Sequence, residues 1–189
     1  MNIAALEQSM YDLSDLLLSP VLLMIIFVVC YAVFAIGKFA GWYVQRKKNK
    51  LVYTQHSNGL PKKSIKGYPV HNYLVAHPTA SFEELEVYAL KLLENLRLVT
   101  RLAPMLGLIA TMIPMGPALK SLADGNVQGI SENLVVAFAA VIWGLLAASL
   151  TFWPATVQKR WLAAELTTID KNRKALSKLE QESGIQEAA

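Results

Sequence analysis

Residues 102–119 read LAPMLGLIATMIPMGPAL and contain no charged side chain. A helix needs roughly 20 apolar residues to cross the hydrocarbon core of a bilayer, with a lower limit near 17. This stretch qualifies, and it is not alone. Downstream, 134–153 reads LVVAFAAVIWGLLAASLTFW; upstream, 20–37 reads PVLLMIIFVVCYAVFAIG, and both are uncharged. Phe152 and Trp153 close the downstream run as an interfacial aromatic pair does. Three buried helices of this purity would leave a soluble chain of 189 residues too little polar surface to cover them. Composition agrees, with 54% hydrophobic and 17% charged residues against about 25% charged in soluble domains. The expected fold class is an all-α integral membrane protein with three transmembrane helices.

The charge outside these runs sets an orientation. Arg46, Lys47, Lys48 and Lys50 follow the first run, Arg97 and Arg101 precede the second, and Lys159 and Arg160 follow the third. Residues 1–19 carry Glu7, Asp12 and Asp15 and no cation. A secretory signal begins with a basic segment, so the first span reads as a retained anchor. The positive-inside rule then puts the N-terminus outside and the C-terminus in the cytoplasm. The net charge of +4 is on this reading a topological signal, with no nucleic acid as partner. A single cysteine excludes a disulfide framework and any cysteine-based zinc site. His71 and His77 come without a third ligand type nearby, so neither metal nor other cofactor is expected.

Working outward gives the organisation. Ile3, Leu6, Met10, Leu13 and Leu17 recur at helical spacing, so 1–19 reads as an amphipathic helix on the outer surface, broken or kinked by Pro20. Transmembrane helix 1 covers 20–43. Asn58-Gly59, Pro61, Gly67, Pro69 and Pro78 mark 44–80 as a cytoplasmic loop. Ser81 with Glu84 is a capping box, and Phe82, Leu85, Ala89, Leu92, Leu96 and Val99 form a packing seam. Residues 81–119 are therefore one helix that rises from the cytoplasm into the second span. A short outer loop, 120–133, leads to 134–182, the third span continued into the cytoplasm along Leu162, Leu166, Ile169, Leu176 and Leu179, with Arg173 interrupting the track. Residues 183–189 are a tail. The two cytoplasmic extensions make a helical hairpin whose seams pair with each other or with neighbouring subunits.

No Asp, Glu, His, Lys or Arg lies inside the three uncharged runs. Intramembrane ionisable residues mark proton and ion pathways, so a proton path here needs a charge from a partner. No nucleophile–base pair or metal motif is present, which argues against an enzyme. Small residues are abundant instead. Asn133, Ala137, Ala140, Gly144, Ala147 and Thr151 share one face of the third span; Gly107, Thr111, Pro114 and Ala118 share one of the second. Such a face permits close helix packing, with Thr111 bonded to the carbonyl of Gly107, or it lines a narrow lumen. Pro114 and Pro117 free backbone carbonyls, which are tolerated in protein or beside water.

Two motifs carry a family resemblance. Ala103-Pro104-Met105-Leu106-Gly107-Leu108-Ile109-Ala110-Thr111 is similar to the APxLGLxGT signature that opens the second helix of the MotA/TolQ/ExbB proton-channel family. Ile130-Ser131-Glu132-Asn133-Leu134 resembles the start of its third helix. The resemblance covers roughly residues 20–180 and is closest to the three-span ExbB/TolQ type. It implies a homo-oligomeric ring, a pentamer, in the inner membrane around two single-span helices of an ExbD/TolR/MotB-like partner with a membrane Asp. Protons passing through that Asp would couple the proton-motive force to mechanical work. Thr111, Gly107, Pro114, Ala137, Ala140 and Gly144 would line the lumen, Glu132 and Asn133 the outer mouth, and Arg97 and Arg101 the cytoplasmic mouth. The chain departs from the family at Ala137, where a threonine is common, and at Ala110, where glycine is. Fewer hydroxyls mean a drier lumen. The alternative is a non-conducting oligomeric scaffold that packs partner helices.

Overall fold

The computed structural model describes residues 3–56 and 63–187. Among these the chain is helical, in the order α1 (Ile3–His56), α2 (Pro69–Ala76), α3 (Phe82–Ala123) and α4 (Val127–Glu187). Helices α1, α3 and α4 hold 54, 42 and 61 residues. At 1.5 Å per residue they run about 80, 63 and 90 Å, far beyond the roughly 30 Å of hydrocarbon they must cross. All three are apolar and long enough to span a membrane. Each therefore carries a long stretch outside the lipid.

Several boundaries differ from the sequence reading. Helix α1 passes through Pro20 without ending. A proline removes one intrahelical hydrogen bond, and α1 continues past that loss unbroken. The stretch 44–80 is less of a loop than expected: α1 persists to His56 and Pro69 opens the eight-residue α2. Pro69 sits in the first turn of α2, where its missing N–H costs nothing. Asn58-Gly59 and Pro61 lie outside the described residues, as do the side chains of Ile3, Leu6 and Met10. The α3–α4 turn contracts to residues 124–126, with Gly125 at φ +69°.

The helices contribute to two compact units. The first comprises residues 1–36 and 96–153. Its interior is built from small and medium side chains: Ala32, Ala103 and Ala147 form one cluster, and Val21, Ile25, Leu106, Ala110 and Ala140 another. Its large apolar side chains face outward; Phe27, Phe34, Met112, Val135 and Ile142 are all exposed. Small residues inside and large ones outside is the packing of helices in lipid, where close backbone approach replaces hydrophobic collapse. The second unit comprises residues 37–95 and 154–189 and is packed as a protein in water is. Val70, Leu74, Leu85, Ala89, Leu93, Leu162 and Ile169 make its core, with Tyr73, Leu92 and Leu166 against it. The Ser81 cap forms reciprocally: Glu84 N–H donates to Ser81 Oγ (3.1 Å) and Ser81 N–H to Glu84 Oε2 (3.3 Å). Arg173, which interrupts the leucine track, donates to the carbonyl of Ala80 and so ties α4 to the entry of α3.

Candidate functional site

In the first unit, α3 and α4 lie side by side in antiparallel register. Gly107 faces Val141 and Gly144, and a β-carbon on Gly144 would stand 2.8 Å from the Ala103 carbonyl oxygen and 3.2 Å from Gly107 Cα. At the residue 100 end of this seam, Thr100 and Thr151 meet Oγ to Oγ at 3.0 Å. Thr151 is fully buried and reaches the Ala147 carbonyl (2.9 Å). The face of α4 made by Ala137, Ala140, Gly144, Ala147 and Thr151 is thus filled by helices of the same chain. Gly107 and Pro114 of α3 are also buried. The close approach of Gly107 and Gly144 is the packing alternative that the small residues left open.

Thr111 stands apart from these. It is half-exposed, and its hydroxyl donates to the Leu108 carbonyl at 2.7 Å. The partner is one residue later than the expected Gly107. With its proton committed to the backbone, the outward capacity of the oxygen is that of an acceptor. Its surroundings on α3 are the exposed Leu108, Met112 and Met115. A second exposed hydroxyl on α4, Ser149, which the sequence reading passed over, is bonded to the Leu145 carbonyl (2.9 Å). Glu132 accepts from Gln128 (2.9 Å) and Asn133 donates to Gly129 (2.8 Å), so both are held to their own helix. Arg97 is half-exposed and Arg101 exposed.

The second unit has a polar centre that the sequence did not disclose. Glu165 on α4 is buried and paired with Arg46 on α1. The other oxygen of Glu165 accepts the backbone N–H groups of Val70 (3.1 Å) and His71 (3.4 Å). Helix α2 has no capping side chain of its own, and Glu165 supplies the cap from another helix, where a carboxylate also suits the helix dipole. Arg46 donates further to the carbonyls of Gly67 (3.1 Å) and Trp161 (3.3 Å). Its guanidinium lies 4.3 Å from the Tyr68 ring centre and 5.1 Å from that of Trp161. Gly67 has φ +95°, and a β-carbon there would press on the Arg46 backbone at 3.0 Å, so glycine is required. His71 is buried with Nε2 3.1 Å from the Lys63 carbonyl, and His77 stacks on Tyr73. Neither belongs to a group able to hold a metal among the described residues.

These residues lie beyond the apolar runs, and burial governs their ionisation. Burial raises the pKa of Glu165, opposed by Arg46 and the two backbone donors. Burial also raises Tyr68, against Arg46. Tyr53, stacked on Tyr68 at 3.8 Å, is pushed from 10.0 to about 12, first by burial and then by the charge of Glu165. Between those pH values the unfolded chain releases the phenolic proton and the folded chain keeps it. The stability linked to Tyr53 is therefore complete below pH 10 and is lost as the pH rises toward 12. Tyr53→Phe should flatten the alkaline fall in melting temperature, read by thermal scanning of the purified protein. It should also lower stability modestly at neutral pH through loss of the contact with Thr168.

A family model described as the MotA/TolQ/ExbB proton channel family matches residues 70–171. No curated protein matches the chain, and no solved structure does. The matched span begins at Val70, whose N–H is capped by Glu165, takes in all of α3 with Thr111, and continues along α4 past Glu165 itself. Three membrane-length helices, the glycine seam that holds two of them together and this match agree: the chain is a multi-pass membrane protein of the MotA/TolQ/ExbB proton channel family.

Proposed function

We propose that the protein is an ExbB/TolQ-like subunit of an ion-driven motor. Five copies form a ring in the inner membrane, N-terminus outside and C-terminus in the cytoplasm. The ring surrounds single-span helices of an ExbD/TolR-like partner, and the proton-motive force does mechanical work through that partner. One observation carries this reading: a member of a proton-channel family has no Asp, Glu, His, Lys or Arg in its three uncharged runs. The proton-carrying group must then come from another chain, and a membrane Asp is the simplest such group.

Thr111 gives that Asp something to distinguish. A carboxylate only accepts hydrogen bonds, whereas a protonated carboxyl also donates one. An oxygen whose own proton is held by Leu108 offers acceptor capacity, which favours the neutral acid. An ionised carboxyl would instead seek water, since an unpaired charge in hydrocarbon is expensive. Protonation therefore changes which contacts the Asp prefers, and that difference can drive a stepping cycle. Gly107, Pro114, Ala137, Ala140 and Gly144 serve this lumen from behind, by fixing α3 against α4. Glu132 and Asn133 stay assigned to the outer mouth, and Arg97 and Arg101 to the cytoplasmic one.

The test is proton flux into liposomes containing the protein together with a single-span ExbD/TolR-like protein that carries a membrane Asp. Thr111→Val should lower flux about tenfold, the worth of one hydrogen bond of about 1.4 kcal/mol, while the complex still co-purifies. Thr111→Ser should retain most of it. Undiminished flux in Thr111→Val refutes the role given to Thr111. The apolar setting of Thr111, among Leu108, Met112 and Met115, favours a second reading, a non-conducting scaffold. That reading predicts assembly with no flux in any variant, wild type included.

A further inference from the structure

Within the second unit, an open groove of about 490 Å³ is lined by Tyr43, Arg46, Lys47, Lys50, Tyr53 and Trp161, together with Thr54 and Tyr68. Its charge balance is uneven. Arg46 is matched by Glu165. Lys47 and Lys50 are exposed, and neither ammonium is paired with an acid among the described residues. The groove thus has two uncompensated positive charges beside four aromatic rings. Phe39 stacks on Trp161 at 5.5 Å and Tyr43 leans on it at 6.0 Å, which makes one flank apolar.

Its depth can be read along α1. From Pro20 to Val44 the helix carries one charge, Lys38, whose Nζ lies 5.8 Å from the Trp42 ring centre. That length, about 37 Å at 1.5 Å per residue, exceeds the hydrocarbon core by roughly one headgroup layer. Tyr43, Lys47 and Lys50 therefore emerge where lipid phosphates lie, at the end of the helix that the positive-inside rule places in the cytoplasm.

We propose that this groove binds the headgroup of an acidic phospholipid. Lys47 and Lys50 take the phosphate, and the rings of Tyr43 and Trp161 border the glycerol and upper acyl chain. Basic pockets between membrane helices on the cytoplasmic side suit such headgroups, at about 1 kcal/mol per cation. The inference depends on membrane insertion and is independent of ion flux.

Native mass spectrometry of the full-length protein, purified and delipidated in a neutral detergent, tests it with dioleoylphosphatidylglycerol and dioleoylphosphatidylcholine as probes. The anionic lipid should bind more tightly. The double variant Lys47→Ala/Lys50→Ala should weaken it about 30-fold, the effect of two such charges, and leave phosphatidylcholine unchanged. Lys171→Ala/Lys178→Ala, which removes the same charge from exposed positions of α4, should bind as wild type does. Millimolar glycerol 3-phosphate should not displace the lipid. Unchanged phosphatidylglycerol binding in the Lys47/Lys50 variant overturns the assignment. So does equal binding of the two lipids by wild type. Displacement by glycerol phosphate overturns the lipid as occupant and identifies a soluble phosphate instead.

Discussion

Glu165→Ala should destabilise the protein by about 3–5 kcal/mol, the range for removing one partner of a buried ion pair. The loss has two components. Arg46, whose side chain is 14% exposed, would keep its charge with only the carbonyls of Gly67 and Trp161 as acceptors. The first turn of α2 would lose the carboxylate that receives the Val70 and His71 N–H groups. Thermal unfolding in detergent measures the sum, and a cycle separates the parts. Arg46→Met/Glu165→Leu removes both charges and should recover much of the loss, because apolar replacement of a buried pair is often neutral. It should not recover all of it, since α2 stays uncapped. Asp170→Asn, at the exposed Asp170–Lys174 pair, is the control and should change stability by a few tenths of a kcal/mol. If Glu165→Ala behaves like that control, the Arg46–Glu165 centre does not hold the second unit together.

This centre also shows where sequence reading stops. The three spans, the Ser81 cap and the Leu85–Ala89–Leu92 seam were legible because each depends on local pattern: length without charge, a Ser-x-x-Glu spacing, a period near 3.6. Arg46 was visible only as one cation of a basic run. Its partner lies 119 positions away, and no periodicity encodes a contact between distant helices. One signal was available. Glu165 falls between Leu162 and Ile169 on the apolar face of α4, and an acid on such a face has to find a partner. The end of α1 was misplaced for a different reason. Turn formers from Asn58 to Pro78 suggested a loop over 44–80, but turn residues mark where a helix cannot continue and leave open how far the preceding one runs. The small residues Ala137, Ala140, Gly144, Ala147 and Thr151 of α4 are all buried. Whether such a face meets a sister helix or a lumen depends on the rest of the fold, and in this chain residues of α1 and α3 pack against it.

Gly144→Ala should weaken the first unit, by about 1–3 kcal/mol for a side chain forced into a filled space, and Gly144→Val should cost more. The reason is geometric. The new β-carbon would sit 2.8 Å from the Ala103 carbonyl oxygen and 3.2 Å from Gly107 Cα. Both are backbone atoms, so no side chain can swing away and the helices must part. Gly107→Ala should cost less, because the nearest atoms are Val141 Cα at 3.3 Å and a flexible Val141 methyl at 3.4 Å. Gly116→Ala, in the same membrane region with nothing within 4 Å, should be neutral or stabilising, since alanine favours a helix over glycine by about 1 kcal/mol. Melting temperatures in detergent give this order, and equal values for Gly144→Ala and Gly116→Ala would refute the α3–α4 register. The same order separates architecture from transport. Parting α3 from α4 would displace Thr111 along with every other group on α3, so Gly144→Ala should lose stability and flux together. Thr111→Val leaves the seam intact and should lose flux with stability unchanged. A ring whose lumen were lined by the glycine seam itself would give the opposite pattern, with Gly144→Ala blocking flux at full stability.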